Sequence, residues 1–117
     1  MKNITLDGVE YTPVIKKPII LEQTLRFEIY PNNLGYMSWN NAKKACEALG
    51  EGWRLPTKEE LNIMYENKDL VIGFAGNYYW SSTEYDFDYA WYQYFTVGYR
   101  GNSAKNYSNY VRAIRAF

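Results

Sequence analysis

The sequence predicts an α+β domain in which two helices pack on a mostly antiparallel sheet, preceded by a hairpin and an extended arm. Three observations carry this. An alternating apolar segment comes first, two segments of helical period follow, and four short aromatic-rich segments close the chain, an order that sets helices apart from most strands. A single cysteine, Cys46, excludes an intrachain disulfide, so burial has to hold the fold. At 117 residues and 47% hydrophobic content, the chain can bury one modest core.

Each element follows from local chemistry. Ile4–Leu6 and Val9–Tyr11 flank Asp7-Gly8, which supplies the positive φ of a two-residue hairpin turn. Pro13 and Pro18 bracket an extended stretch holding Lys16 and Lys17. Residues 1–23 are therefore read as hairpin and arm, and residues 24–117 as the folded domain. From Thr24 to Tyr30 the pattern alternates, with Leu25, Phe27 and Ile29 facing one way and Arg26 and Glu28 the other. Pro31-Asn32-Asn33 ends that strand. Ser38 is a candidate N-cap for a helix to about Leu49, with Trp39, Ala42, Ala45, Cys46 and Leu49 on one face and Gly50 as its stop. Cys46 on that stripe reads as a small core residue. Thr57-Lys58-Glu59-Glu60 is a capping box opening a second helix to about Asn67, with Leu61, Met64 and Tyr65 inward.

Beyond Asn67 the helical period fades. Strands are expected at residues 78–83, 90–97, 103–108 and 110–116, punctuated by Gly98, Gly101 and Asn109. Alternation puts Trp91, Gln93 and Phe95 on one face of the second of these, and Tyr92 and Tyr94 on the other. Val111 and Ile114 fall on opposite faces, so the last strand is expected to be covered on both sides.

Composition removes several function classes. The chain has no histidine, so no Ser-His-Asp or Cys-His nucleophile system and no histidine-ligated zinc can be built from it. Net charge is zero, which gives no bulk attraction to nucleic acid or an anionic membrane. No stretch approaches the length of a membrane span, and the start lacks the apolar segment of a signal peptide. No Gly-rich phosphate loop is present; Gly50 and Gly52 flank only Glu51. Glu84, Asp86 and Asp88 alternate ahead of a strand, but three ligands do not satisfy the six to eight oxygens of Ca²⁺, and they are read as solvated loop carboxylates. As a glycosidase pair they would lack an identifiable cleft. No metal and no cofactor are therefore expected.

Five blocks in order carry a family resemblance. They are Ser38-Trp39-Asn40-Asn41-Ala42, then Gly52-Trp53-Arg54-Leu55-Pro56-Thr57, then Tyr79-Trp80-Ser81-Ser82-Thr83-Glu84, then Ala90-Trp91 through Phe95 and Gly98, and last Val111-Arg112-Ala113-Ile114-Arg115. These resemble the bacterial and phage domain family typified by the C-terminal domain of the Legionella collagen-like adhesin, and equally the Fibrobacter major-paralogue domains. Both are similar to the C-type lectin-like fold in its disulfide-free form, shared with formylglycine-generating enzymes and phage receptor-binding variable proteins. The resemblance covers about residues 26–117. It implies adjacent N- and C-terminal strands and a long loop region bearing the binding surface. Many members carry a cysteine in the last strand where this chain has Ala113. Known members are mostly adhesins, cell-surface modules and virion proteins, so the resemblance implies no enzyme. The formylglycine-generating type uses two cysteines, and this chain has one.

The expected function is a non-catalytic recognition module of a bacterial or phage surface or virion protein, binding a glycan or protein through a Tyr/Asn-rich C-terminal surface. The ligand-binding residues expected are Tyr85, Tyr89, Tyr92, Tyr94, Tyr99, Arg100, Asn102, Tyr107 and Asn109. Tyrosine offers contact area at low entropy cost and asparagine offers adaptable hydrogen bonds. The alternative is a structural virion component, a decoration, fibre or assembly protein, docked on other virion or surface proteins through residues 1–23. Homo-oligomerisation is left open by the sequence. Localisation at a virion or bacterial cell surface is expected, with cytoplasmic synthesis and assembly compatible with the absent signal. Trp53, Trp80 and Trp91 are read as core, and Arg54, Glu60, Glu84, Arg112 and Arg115 as an internal polar network.

Overall fold

The computed structural model describes residues 19–22, 26–70 and 73–116. The predicted Ile4–Tyr11 hairpin, the Pro13–Pro18 stretch, Thr24 and Leu25 lie outside them. In chain order the elements are β1 (Ile19–Glu22), β2 (Arg26–Ile29), β3 (Gly35–Met37), α1 (Trp39–Glu47), α2 (Lys58–Glu66), β4 (Tyr78–Glu84), β5 (Tyr89–Tyr94), β6 (Arg100–Ala104), β7 (Asn109–Val111) and β8 (Ile114–Ala116). The class is α+β, as expected. The sheet is not single, however. β1-β2-β8 form one antiparallel sheet, and β3-β7-β4-β5-β6 form a second in which only the β4–β7 pair is parallel. β1 falls within the segment assigned to the arm and pairs with β2 from Ile19↔Ile29 to Glu22↔Arg26.

The split of the last expected strand explains the two sheets. β7 ends at Val111 and β8 begins at Ile114, each in a different sheet, and both side chains are fully buried. Arg112 sits at the crossing. Its guanidinium donates to Asn33 Oδ1 (3.1 Å) and Tyr30 O (3.2 Å) and lies 4.3 Å from the Phe74 ring centre. Burial pushes this guanidinium down to about 10, and the nearby Tyr79 pulls the other way. Apolar cover on both sides of the final segment, expected from the sequence, thus arises from a strand that changes sheets.

The two helices serve separate clusters. Leu61 and Met64 of α2 pack with Phe27, Ile29, Tyr79, Phe95 and Ile114. Trp39, Ala42 and Cys46 of α1 pack with Trp53, Leu55, Trp80, Ala90, Val111 and Ala113. The α2 start is the predicted capping box: Glu60 N donates to Thr57 Oγ1 (3.1 Å) and Thr57 N to Glu60 Oε1 (2.8 Å). At α1 the expected Ser38 cap is extended but makes no side-chain cap bond; the helix entry is held instead by Trp39 N donating to Lys105 O (3.0 Å). Arg54 forms an isolated bridge to Ile114, which seats the Trp53-Arg54-Leu55 block on β8 just before α2.

Two strand boundaries differ from expectation. β5 stops at Tyr94 because the chain reverses at Gly98, whose φ is +86° and whose N–H bonds Tyr94 O (2.7 Å). β6 therefore begins at Arg100 and not at Ser103. Lys105 N–H continues the cross-strand bonding to Asp88 O, but its carbonyl turns to α1 and accepts from Trp39 N, and β6 ends at Ala104. β3 was not predicted at all; three residues carry too little alternation to register.

Candidate functional site

The β4–β5 hairpin positions the expected surface. Its register pairs Tyr78 with Tyr94 and Trp80 with Tyr92, so these four share one face. Trp80 is fully buried and anchors that face, with its indole N–H donating to Met37 O (2.8 Å). Toward the end of the hairpin the tyrosines emerge. Tyr78 stacks on Tyr92 with centroids 4.7 Å apart and planes at 13°, and meets Tyr94 edge-on at 4.6 Å. Tyr99 lies 6.3 Å from Tyr92 and is 61% exposed. Gly101, opposite Tyr92, permits the approach: a Cβ there would stand 2.9 Å from Tyr92 Oη and 3.0 Å from Tyr99 Cε2. Burial, then the neighbouring Tyr78 and Tyr99 phenols, push the Tyr92 phenol up, so it presents a neutral hydroxyl that both donates and accepts.

The other face of the same hairpin carries a different set. Asn102 pairs opposite Trp91 and Arg100 opposite Gln93, and both β6 side chains are exposed. Trp91 is half-buried, not core as expected, because Lys58 Nζ covers it at 3.6 Å and Tyr85 meets it edge-on at 5.6 Å. Gln93 is buried and donates to Asn62 Oδ1 (2.9 Å) and Gly98 O (3.0 Å), tying α2 to the β5–β6 turn.

At the opposite end of β5, Tyr89 borders an open groove of about 990 Å³. Its walls come from the first turn of α1, the β4–β5 turn and the turn after β6. Lys105 Nζ donates to Glu84 Oε2 (2.6 Å) and Phe87 O (2.7 Å) and lies 4.5 Å from the Trp39 ring centre. The Lys105 hydrogen bond and charge hold the Glu84 carboxyl below its ordinary range.

The expected residues therefore do not form one surface. Tyr92, Tyr94 and Tyr99 come together, with Tyr78 as an unforeseen member. Tyr85 and Asn102 lie at Trp91, and Arg100 lies on the same face opposite Gln93. Tyr89 lies at the groove, and Tyr107 is exposed in the turn after β6. Asn109 is a correction: it is 4% exposed, held inside the sheet opposite Met37 in β7, and cannot meet a ligand at the surface. Tyr78 was missed because a strand pattern gives alternation but not register, and register alone places it against Tyr92 and Tyr94.

The polar residues of the motif blocks act as fasteners. Arg54 clasps Glu60 through both carboxylate oxygens (2.8 and 2.9 Å), and Arg115 reaches Glu28 at 3.2 Å. Ser81 Oγ donates to Trp91 O (2.7 Å), and Lys58 N donates to Thr83 Oγ1 (2.9 Å). Asp86 Oδ1 accepts the N–H groups of Asp88 and Tyr89, which closes the β4–β5 turn. Among the described residues, no group of three His, Cys, Asp or Glu is placed to hold a metal ion.

No curated protein matches the chain. The family model described as the Lcl C-terminal domain matches residues 21–115, which takes in every strand from β2 to β7, both helices and all of the surfaces above. With most of its length matched and the five motif blocks serving the scaffold, the chain belongs to the Lcl C-terminal domain family and is an adhesin-type module.

Proposed function

We propose that this chain is a non-catalytic recognition module of a surface or virion protein, binding a glycan or protein partner through the tyrosines of its β4–β5 hairpin and β5–β6 turn. One observation carries the reading. Tyr78, Tyr92, Tyr94 and Tyr99 form a contiguous set of rings that the scaffold orders, with Tyr78 and Tyr99 exposed and Tyr92 and Tyr94 half-buried between them. Ordered tyrosines meet a partner with little further loss of side-chain freedom, which is why they dominate binding surfaces. Family membership supports the adhesin-type role, and the absence of histidine from the chain removes the commonest acid–base catalyst.

Alanine at Tyr92, Tyr94 and Tyr99, singly and together, tests it. Each change is expected to weaken attachment to cells or to an immobilised partner by about tenfold, roughly 1.4 kcal/mol, with the fold retained by circular dichroism. Undiminished attachment by the folded triple variant removes this surface from the function. The alternative, a structural component docked through residues 1–23, is tested by deleting residues 1–18, which keeps β1 in its sheet; a folded module that no longer joins its assembly is expected.

A further inference from the structure

We propose that the groove at the Tyr89 end of β5 is a second binding site, separate from the tyrosine cluster, for a neutral saccharide. The inference rests on the recognition reading but not on the tyrosines that carry it.

The groove contains what a pyranose requires. A sugar ring has one apolar C–H face and a rim of hydroxyls, each both donor and acceptor. Phe87, at 88% exposed, and Tyr89, at 41%, stand at the groove as flat apolar plates. No other large hydrophobic side chain among the described residues is as exposed as Phe87. The turn that carries it is rigid: Asp86 Oδ1 caps two N–H groups, and the N–H groups of Tyr85 and Asp86 both bond Tyr89 O. Phe87 and Tyr89 thus give the groove an ordered aromatic wall that the C–H face of a sugar ring can cover.

The polar lining supplies donors and acceptors around these plates. Asn40 and Lys43 come from α1, Glu84 and Asp88 from the hairpin, and Lys105 and Asn106 from the turn after β6. The walls are locked together by Trp39 N to Lys105 O (3.0 Å) and Lys105 N to Asp88 O (2.9 Å), so the lining is preformed.

Charge selects among ligands. Two lysines and two carboxylates line the groove, and the Lys105–Glu84 pair at 2.6 Å cancels one of each. Lys43 adds a positive field at Glu84, and Asp88 offsets it. A balanced lining gives no net attraction to a polyanion or a polycation and suits a neutral ligand. An extended peptide would call instead for a row of apolar pockets, which one aromatic lip beside a polar floor does not provide, and the edge strand β6 contributes only Ala104 to the lining.

Amide shifts of the ¹⁵N-labelled full chain, titrated with glucose, galactose, mannose and N-acetylglucosamine and in parallel with glucuronate, test the site. The expected result is saturable movement of the Asn40, Lys43, Asp88 and Lys105 amides with at least one neutral sugar and weaker movement with glucuronate. Phe87→Ala is expected to weaken that binding at least about tenfold, and Asp88→Asn to weaken it to a smaller extent. Phe87 and Asp88 are both exposed, so these variants are expected to melt as the native chain does. Tyr92→Ala, outside the groove lining, should leave the movement of these four groove amides unchanged. The proposal is overturned if no neutral sugar moves these amides, if glucuronate binds more tightly, or if Phe87→Ala has no effect. Movement confined to the Tyr78, Tyr92, Tyr94 and Tyr99 amides also overturns it, while sustaining the tyrosine surface. Sugar binding at the groove that survives in the folded Tyr92, Tyr94 and Tyr99 triple variant, with cell attachment also undiminished, sustains the groove and removes the tyrosine surface.

Discussion

Glu60 joins the motif block to the second helix, and its replacement by glutamine separates charge from shape. The carboxylate is 6% exposed and accepts three hydrogen bonds: two from the Arg54 guanidinium at 2.8 and 2.9 Å, and one from Thr57 N at 2.8 Å. Glutamine keeps one acceptor for the Thr57 amide. It cannot accept both arms of the guanidinium and turns an amide donor toward one of them. Charge-assisted hydrogen bonds contribute about 1.5–3 kcal/mol each, and Arg54, at 40% side-chain exposure, recovers part of that loss through water. Glu60→Gln is therefore expected to destabilise the fold by roughly 2 kcal/mol near neutral pH. Burial raises the Glu60 pKa, but the Arg54 and Thr57 bonds outweigh it and the net shift is downward. A carboxyl lowered on folding contributes stability that is complete above its unfolded value, about 4.3, and fades as pH falls through the folded value. Urea unfolding of both proteins across that range reads the effect. The gap between native and variant is expected to be widest near neutral pH and to shrink in acid as the native carboxyl is protonated. Equal stability at neutral pH, or a gap that does not change in acid, would refute the reasoning.

Two further outcomes follow from the interior. Gly98→Ala puts a Cβ 2.6 Å from Tyr65 Cε2 on a backbone with φ +86°, so a loss of about 2 kcal/mol or more is expected in thermal melts, with the β5–β6 turn amides exchanging fastest. An unchanged melting temperature would mean that Tyr65 and the turn yield freely. Cys46 is fully buried, and burial, then the charge of Glu47, push its thiol up to about 12. It is expected to react with a disulfide reagent only after unfolding, at a rate set by the unfolded fraction; rapid labelling of the native chain would contradict its place in the α1 cluster.

Much of this protein is legible in the sequence because it is decided by neighbours along the chain. The capping box at Thr57 and Glu60 depends on a three-residue spacing, and the structure contains both of its bonds. The stripe of Trp39, Ala42 and Cys46 follows from helical period, and Phe27 with Ile29 from strand period. The polar roles of Arg54, Glu60 and Arg115 follow from the need of half-buried charges for partners. Local pattern fails where the outcome depends on what lies across the fold. Ser38 has a capping side chain, yet the α1 entry is held by a carbonyl 66 positions later in the chain, at Lys105. Asn109 has the composition of a binding loop, yet β7 carries it inside the sheet. Trp91 has the character of a core residue, yet Lys58 and Tyr85 cover it in place of the apolar interior.

The sequence by itself determined the α+β class, the two amphipathic helices and the aromatic supply of the C-terminal half, since periodicity, capping and composition act over a few residues. The tertiary structure decided that the last strand divides between two sheets at Arg112, that Tyr78 joins Tyr92, Tyr94 and Tyr99, and that a groove opens between α1 and the β4–β5 turn. Those outcomes depend on register and on contacts between distant segments. A one-residue slip would exchange the faces of every strand in the hairpin without altering its pattern.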